Sequence, residues 1–209
     1  MEQLQATNEG TCGTSDLTDV LGFTPVLDVC CGPKGMWFNK KDPRVFYVDR
    51  RREDIEMCYP SGNYKESIAP DEIADFTNLP FSDESFWLVV MDPPHIQRSG
   101  PDGRMTKRYG YLSGEWRDML RKGFAECFRV LKPNGTLIFK WCEVQFPVRD
   151  ILALSEHPPL FGHVSGKRAN THWMTFIKPN VQIEAPSRLL AKVASNAGLG
   201  LFGPERIET

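Results

Sequence analysis

No stretch of this 209-residue sequence approaches the ~20 consecutive apolar residues of a membrane-spanning helix, so no helical span is expected. Histidine is scarce: four are scattered along the chain without ligand-like spacing, and no metal is assigned. Among six cysteines (Cys12, Cys30, Cys31, Cys58, Cys127 and Cys142) there is no Cys-x-x-Cys pair, and no charged-then-apolar leader opens the chain. A reducing cytoplasm is therefore expected, with Cys30, Cys127 and Cys142 as core residues. An excess of charge of one sign is missing as well. Lys and Arg number 25 against 27 Asp and Glu, with a net charge of −2 and a pI near 6.1. There is no global footprint for nucleic acid, and any phosphate contact must come from a local patch. No internal repeat is present.

What is there fits one domain with a core large enough to fold without staples. The apolar run Phe86-Trp87-Leu88-Val89-Val90 is short, aromatic and β-branched and predicts a buried strand. Met91-Asp92-Pro93-Pro94-His95 follows at once. Two prolines stop both helix and sheet, because neither has an N–H and both fix φ. Asp92 is thereby placed at the carboxyl end of a central strand, where open α/β sheets bind ligands. The plain alternative is a strand ending in a proline turn.

Upstream, Thr14-Ser15-Asp16 is read as the cap of a short turn through Leu21. Val26-Leu27-Asp28-Val29-Cys30-Cys31-Gly32-Pro33-Lys34-Gly35 is read as a strand, a glycine-bearing turn and a short helix from near Met36. Val45-Phe46-Tyr47-Val48-Asp49 is a second strand ending in an acid that precedes three arginines. That acid is placed to accept both ribose hydroxyls of a nucleoside, or else pairs with its own arginines. Residues 53–70 are polar with Pro60, Gly62 and Asn63, and are expected to form a loop or irregular helix. A dinucleotide-type Gly-x-Gly-x-x-Gly is not present, since only Gly32 and Gly35 fit it.

From Ile96 to Gly114 a long loop is expected, a length that favours a functional segment. Between Gln97 and Lys122, seven basic residues (Arg98, Arg104, Lys107, Arg108, Arg117, Arg121, Lys122) face three acids. Basic side chains beside Tyr109 suit a phosphate backbone and an unstacked base, or a solvated flexible loop. A helix is predicted from Ser113 through Leu131, stopped by Lys132-Pro133-Asn134-Gly135. The next strand, Thr136 to Trp141, carries Lys140 and Trp141 to its carboxyl end, near the pocket. A helix over Phe146–Leu154 and two last strands, Pro159–Val164 and Trp173–Ile177, complete the domain. Pro186–Ala197 is read as a peripheral helix.

Asp-Pro-Pro followed by a ring-bearing residue resembles the catalytic motif of S-adenosylmethionine-dependent amino-methyltransferases. The motif order from Val26 to Lys178 resembles the small class I methyltransferases of bacteriophages and prophages, and through them the DNA adenine methyltransferases. The resemblance implies an α/β, Rossmann-like doubly wound, mostly parallel sheet with a terminal antiparallel hairpin. It divides the chain into an N-terminal extension (1–20), the methyltransferase domain (21–179) and a C-terminal extension (180–209).

The resemblance also implies S-adenosyl-L-methionine as cofactor, held by Asp28, Cys30, Cys31, Gly32, Asp49, Arg50, Asp75, Phe76 and Asp92. Asp92, Pro93, Pro94 and His95 would be catalytic. Arg98, Arg104, Lys107, Arg108, Tyr109, Lys140 and Trp141 would meet the substrate. That substrate is expected to be an exocyclic amine of a nucleic-acid base, first N6 of adenine in DNA. RNA, a small molecule or a protein is the alternative, as is a regulatory protein without turnover. The sequence departs from the family at Lys34, where a third glycine is usual, and at His95, where a larger aromatic ring is usual. There is no room for a large target-recognition domain, so specificity is slight, comes from the basic loop, or belongs to a protein partner.

Overall fold

The computed structural model describes residues 24–59, 62–97, 103–165 and 170–180. The expected turn before Leu21, the helix over Pro186–Ala197, both terminal extensions apart from Asn180, and Arg98 lie outside these residues.

In chain order the elements are β1 (Val26–Asp28), β2 (Val45–Asp49), β3 (Glu53–Tyr59), β4 (Gly62–Ile68), β5 (Glu72–Ile73) and β6 (Phe86–Met91). Then follow α1 (Arg104–Tyr109), α2 (Trp116–Val130), β7 (Leu131–Cys142), α3 (Val148–Leu152), β8 (Phe161–Ser165) and β9 (Thr171–Ile177). Seven strands form one sheet in the order β5-β2-β1-β6-β7-β9-β8. The first five run parallel, β9 runs antiparallel to β7, and β8 antiparallel to β9. The doubly wound sheet with its terminal hairpin is thus the one expected. Strands buried on both faces need continuous apolar runs, which is why Val26-Leu27 and Val89-Val90-Met91 were legible. Strand order reverses at β1, which has β2 on one side and β6 on the other, and a crevice opens beyond their carboxyl ends.

Three expectations are corrected. Residues 53–70 form a β-hairpin, β3 against β4, in register from Glu53↔Ile68 to Tyr59↔Gly62. The hairpin buries Ile55, Met57 and Ile68 on one face and leaves Glu53, Asp54 and Glu56 in solvent. No helix follows β1. Gly32 and Lys34, in the turn ahead of Met36, take left-handed backbone at φ +49° and +56°, and beyond them Trp37 is drawn back through its indole N–H to Asp28 in place of starting a helix. The segment winds instead through turns closed by Lys34 N–H on the Cys31 carbonyl and Trp37 N–H on that of Lys34. Finally, the stretch expected as a long loop after Asp92 contains the six-residue helix α1.

Helix α2 buries Trp116, Leu120, Gly123, Phe124, Cys127 and Phe128 on one stripe. Gly123 is required by packing, since a Cβ there would come within 2.5 Å of the Phe76 ring and 2.9 Å of Met91 Cε. Arg129 at the end of α2 donates to the carbonyls of Leu79 and Phe81, and Glu126 accepts the Leu79 N–H, so the helix holds the β5–β6 connection in place. The predicted Pro-Asn-Gly stop is built into the start of β7 as a bulge. Pairing jumps from Phe86↔Leu131 to Leu88↔Thr136, with Asn134 at φ +63°.

Candidate active site

Asp92 leaves the carboxyl end of β6, and its backbone N–H points at the Cys30 sulfur, 3.2 Å away. Met91 pairs with Phe139 on β7, so Lys140 lies beside Asp92 on the neighbouring strand. Its ammonium donates to Asp92 Oδ2 at 2.6 Å. Oδ1 takes no hydrogen bond from any described residue. His95 sets its ring edge-on to Trp141, with centroids 6.1 Å apart. Burial, reinforced by the Lys140 charge and opposed by Asp92, holds His95 below the ordinary imidazole range, so it is neutral at neutral pH. Its Nδ1 is buried without a hydrogen-bond partner; the Pro93 carbonyl is the nearby backbone group that favours a proton on the ring. Asp92, Pro93, His95, Tyr109, Lys140 and Cys142 border a cavity of about 220 Å³.

The glycine loop lies on the other side of Asp92. Asp49 binds it directly, with Oδ2 accepting the Gly32 N–H at 2.9 Å and Oδ1 the Arg51 N–H at 3.0 Å. A carboxylate offers about four lone-pair sites, so capacity for a ligand remains. Asp28 is fully buried beneath the loop and accepts from Trp37 Nε1 at 2.7 Å and from Cys30 N–H at 3.2 Å. Burial, with Asp92 and Asp49 nearby, pushes its carboxyl up to about 7. The Cys30 thiol is held well above its ordinary range by burial first and then by Asp28, Asp92 and Asp49. It is no nucleophile.

Helix α1 closes this cleft from above. Arg51 donates from Nη1 to the Lys107 carbonyl at 2.9 Å and from Nη2 to the Arg108 carbonyl at 3.2 Å, which caps orphan groups at the end of a short helix. Arg108 pairs with Glu66 of β4, Nε to Oε2 at 2.8 Å, although the N–H is not aligned on the oxygen. A Cβ on Gly32 would meet the Arg108 carbonyl at 3.7 Å, so α1 rests on the loop. The cleft that remains between Gly32, Asp49, Phe76, Asp92 and Tyr109 is narrow, with a volume of about 30 Å³ against about 220 Å³ for the neighbouring cavity. Asp92 and Tyr109 line both cavities and form the wall between them.

Of the residues expected around the cofactor, Cys30, Gly32, Asp49, Arg50, Phe76 and Asp92 line the cleft, together with Pro94. Asp28 and Cys31 lie behind the loop, and Asp75 faces outward with its carboxylate on the Thr77 N–H and hydroxyl. Pro93, His95, Tyr109 and Lys140 meet at the second cavity. Arg104 and Lys107 are exposed on α1. The Trp141 side chain is fully buried and donates to the Phe146 carbonyl, because alternation along β7 turns it away from the face that bears Lys140, and its ring stands against His95.

Sequence reasoning missed Arg51, Glu66, Trp37, Tyr111 and Met119, the last two being further walls of the cleft. Only Arg51, in a run of three arginines after Asp49, carried a signal. Among the described residues no group of His, Cys, Asp and Glu is arranged to hold a metal, and no helix is long and apolar enough to cross a membrane.

No protein-family model matches the chain, and no curated protein does. Solved structures do. The N-methyltransferase NodS from Bradyrhizobium japonicum WM9 superposes with a TM-score of 0.50 at 12% identity, over 75% of this chain and 86% of that one. The PH0226 protein from Pyrococcus horikoshii OT3 gives 0.49 at 16% identity, over 78% and 86%. A SAM-dependent methyltransferase from Methanosarcina mazei gives 0.46 at 15%, over 75% and 93%. At these identities the likeness is one of fold: the Rossmann-like sheet of the class I methyltransferases.

Proposed function

We propose that the chain is an S-adenosylmethionine-dependent methyltransferase acting on an exocyclic amine of a nucleic-acid base, with N6 of adenine in DNA as the first candidate. The observation that carries this reading is the position of Asp92, whose carboxylate borders both the cleft beside the glycine loop and the separate 220 Å³ cavity. A donor on one side and an acceptor on the other would meet across it.

The residues present fit the cofactor. Asp28, Asp49 and Asp92 surround the loop closely enough that the last two raise the carboxyl of the first. Such a cluster favours a cationic ligand. When bound, S-adenosylmethionine supplies a methyl group on a positively charged sulfur, open to one direct displacement. Asp49 and the Gly32 backbone would hold it, and α1 must lift to admit it.

The exocyclic amine of a base is a poor nucleophile because its lone pair is delocalised into the ring. Asp92 Oδ1 and the Pro93 carbonyl would accept the two amine hydrogens and direct the lone pair toward the cleft. Those bonds strengthen as positive charge develops on the amine, so they lower the barrier more than they tighten binding. His95, neutral and braced by Trp141, offers a flat face for the ring. In duplex DNA the base must first leave the stack, at a cost of a few kcal/mol. No cysteine takes part.

A second reading, a small-molecule acceptor, is favoured by the pairing of Arg108 with Glu66, which occupies a side chain expected on phosphate and makes α1 a lid. The test is incubation with radiolabelled cofactor and separate pools of DNA, RNA, protein and small-molecule extract. Label on adenine in DNA is expected. Label confined to the small-molecule extract overturns the first reading in favour of the second.

A further inference from the structure

The Asp92–Lys140 pair divides its own hydrogen-bonding capacity in two. Oδ2 of Asp92 is taken by the ammonium at 2.6 Å, while Oδ1 has no partner among the described residues. An ammonium carries three N–H groups. One is on Asp92, and the Trp173 ring lies 5.6 Å from Nζ. The side chains of Lys140 and Asp92 are only 27% and 12% exposed, so both reach the cavity from within the protein rather than from open solvent. Register places them abreast on adjacent strands. The cavity therefore presents an acceptor, Asp92 Oδ1, immediately beside a charged donor, Lys140 Nζ.

The surface complementary to that pair is a donor beside an acceptor. An amino group attached to a ring carbon next to an unprotonated ring nitrogen has this pattern, as in adenine (N6 beside N1) and cytosine (N4 beside N3). An aliphatic amine offers nothing to the ammonium and leaves it facing carbon. His95 continues the pattern, since a neutral imidazole adds no second charge to repel the edge. We propose that Lys140 is a specificity-determining residue, which donates to the ring nitrogen adjacent to the reacting amine while Asp92 receives the amine itself. This rests on the base-methylation reading above and deepens it: the accepted substrates are bases with an amidine edge. Donation to the ring nitrogen draws the amine lone pair further into the ring, so this contact selects the substrate, and the nucleophilicity must come from Asp92 and the Pro93 carbonyl.

The experiment exchanges single atoms. Oligonucleotides that accept label from wild-type protein are remade with 1-deazaadenine or 3-deazacytosine at the methylated position, so that CH replaces the ring nitrogen and the amine stays. kcat/KM is measured for each with wild type and with Lys140→Met. Loss of a hydrogen bond to a charged group predicts a roughly ten-fold to hundred-fold penalty in wild type. Part of any penalty is intrinsic to the altered ring, and that part survives in the variant. The proposal therefore requires the penalty to shrink at least several-fold in Lys140→Met. Lys140→Gln keeps an N–H without the charge and should retain part of the discrimination; it serves as the second variant if Lys140→Met does not fold. Equal penalties in wild type and variant overturn the proposal and leave Lys140 as a mere counter-charge to Asp92. Absence of label on every unmodified oligonucleotide is a different result, which overturns the base-methylation reading itself.

Discussion

Replacing Asp28 by Asn should change how stability depends on pH, with a sign that follows from burial. Asp28 is fully buried with two donors, Trp37 Nε1 and the Cys30 N–H, and its carboxyl is pushed up from 3.8 to about 7, mainly by desolvation. The folded protein therefore holds a proton there more tightly than the unfolded chain does. Stability contributed by that proton is full below the unfolded pKa and is lost as pH rises through about 7. The slope is at most about 1.4 kcal/mol per pH unit, and between roughly pH 5 and pH 8 the loss integrates to about 2.5 kcal/mol. Asn cannot ionise, so the variant lacks this loss. It has its own pH-independent cost of about 1–3 kcal/mol, because its NH2 must face one of two donors. Wild type should thus be the more stable protein below about pH 4, with the difference shrinking as pH rises and reversed near pH 8. Urea unfolding followed by tryptophan fluorescence, with Trp37 as a local reporter, measures both curves. Parallel pH profiles for the two proteins would refute the reasoning, since the carboxyl would then titrate as in the unfolded chain.

Asp92→Ala should weaken cofactor binding in calorimetry only modestly, since Asp49 and the Gly32 backbone remain, while methyl transfer at saturating cofactor falls at least about a hundred-fold, the cost of removing one preorganised electrostatic partner; a near-normal rate would exclude Asp92 from the chemistry. Arg51→Ala removes two charge-assisted bonds to α1 carbonyls. Stopped-flow measurement should show faster cofactor association, because the lid over a 30 Å³ cleft opens more often. An unchanged association rate would mean that α1 does not gate entry. Replacing Arg104, Lys107 and Arg108 together by alanine should weaken DNA binding and lower the slope of log K against log salt by about 0.7–0.9 for each phosphate no longer neutralised. Because Arg108 is paired with Glu66, it should contribute least to that change.

The parallel strands β1, β2, β6 and β7, the terminal hairpin and the amphipathic helix α2 were legible because each depends on local pattern: continuous apolar runs where both sheet faces are buried, and a helical stripe where one is; the two-residue edge strand β5 has no such run. The hairpin of β3 and β4 also had its signal, the alternation of Ile55 and Met57 with acids ahead of the turn-favouring sequence Pro-Ser-Gly-Asn. Polar composition masked it, since among the described residues its core is three side chains. The helix expected after β1 failed for a tertiary reason. Trp37 is drawn back to the buried Asp28, and Gly32 to Asp49, and those bonds hold left-handed turns that propensity disfavours.

By itself the sequence placed Asp49 and Asp92 at strand ends and Gly32 between them, because proline, glycine and apolar periodicity act within a few residues. Which atoms of those residues remain for a ligand was decided by contacts across the chain. Lys140 comes 48 positions after Asp92 yet occupies one of its oxygens, and Arg51 holds the carbonyls of α1, 56 and 57 positions away. Trp141 and Lys140 are neighbours in sequence but part at the sheet, one into the core and one into the cavity, because successive side chains of a strand point to opposite faces. A one-dimensional pattern carries residue type and local geometry. Hydrogen-bond capacity is allotted only when strands distant in sequence are brought side by side.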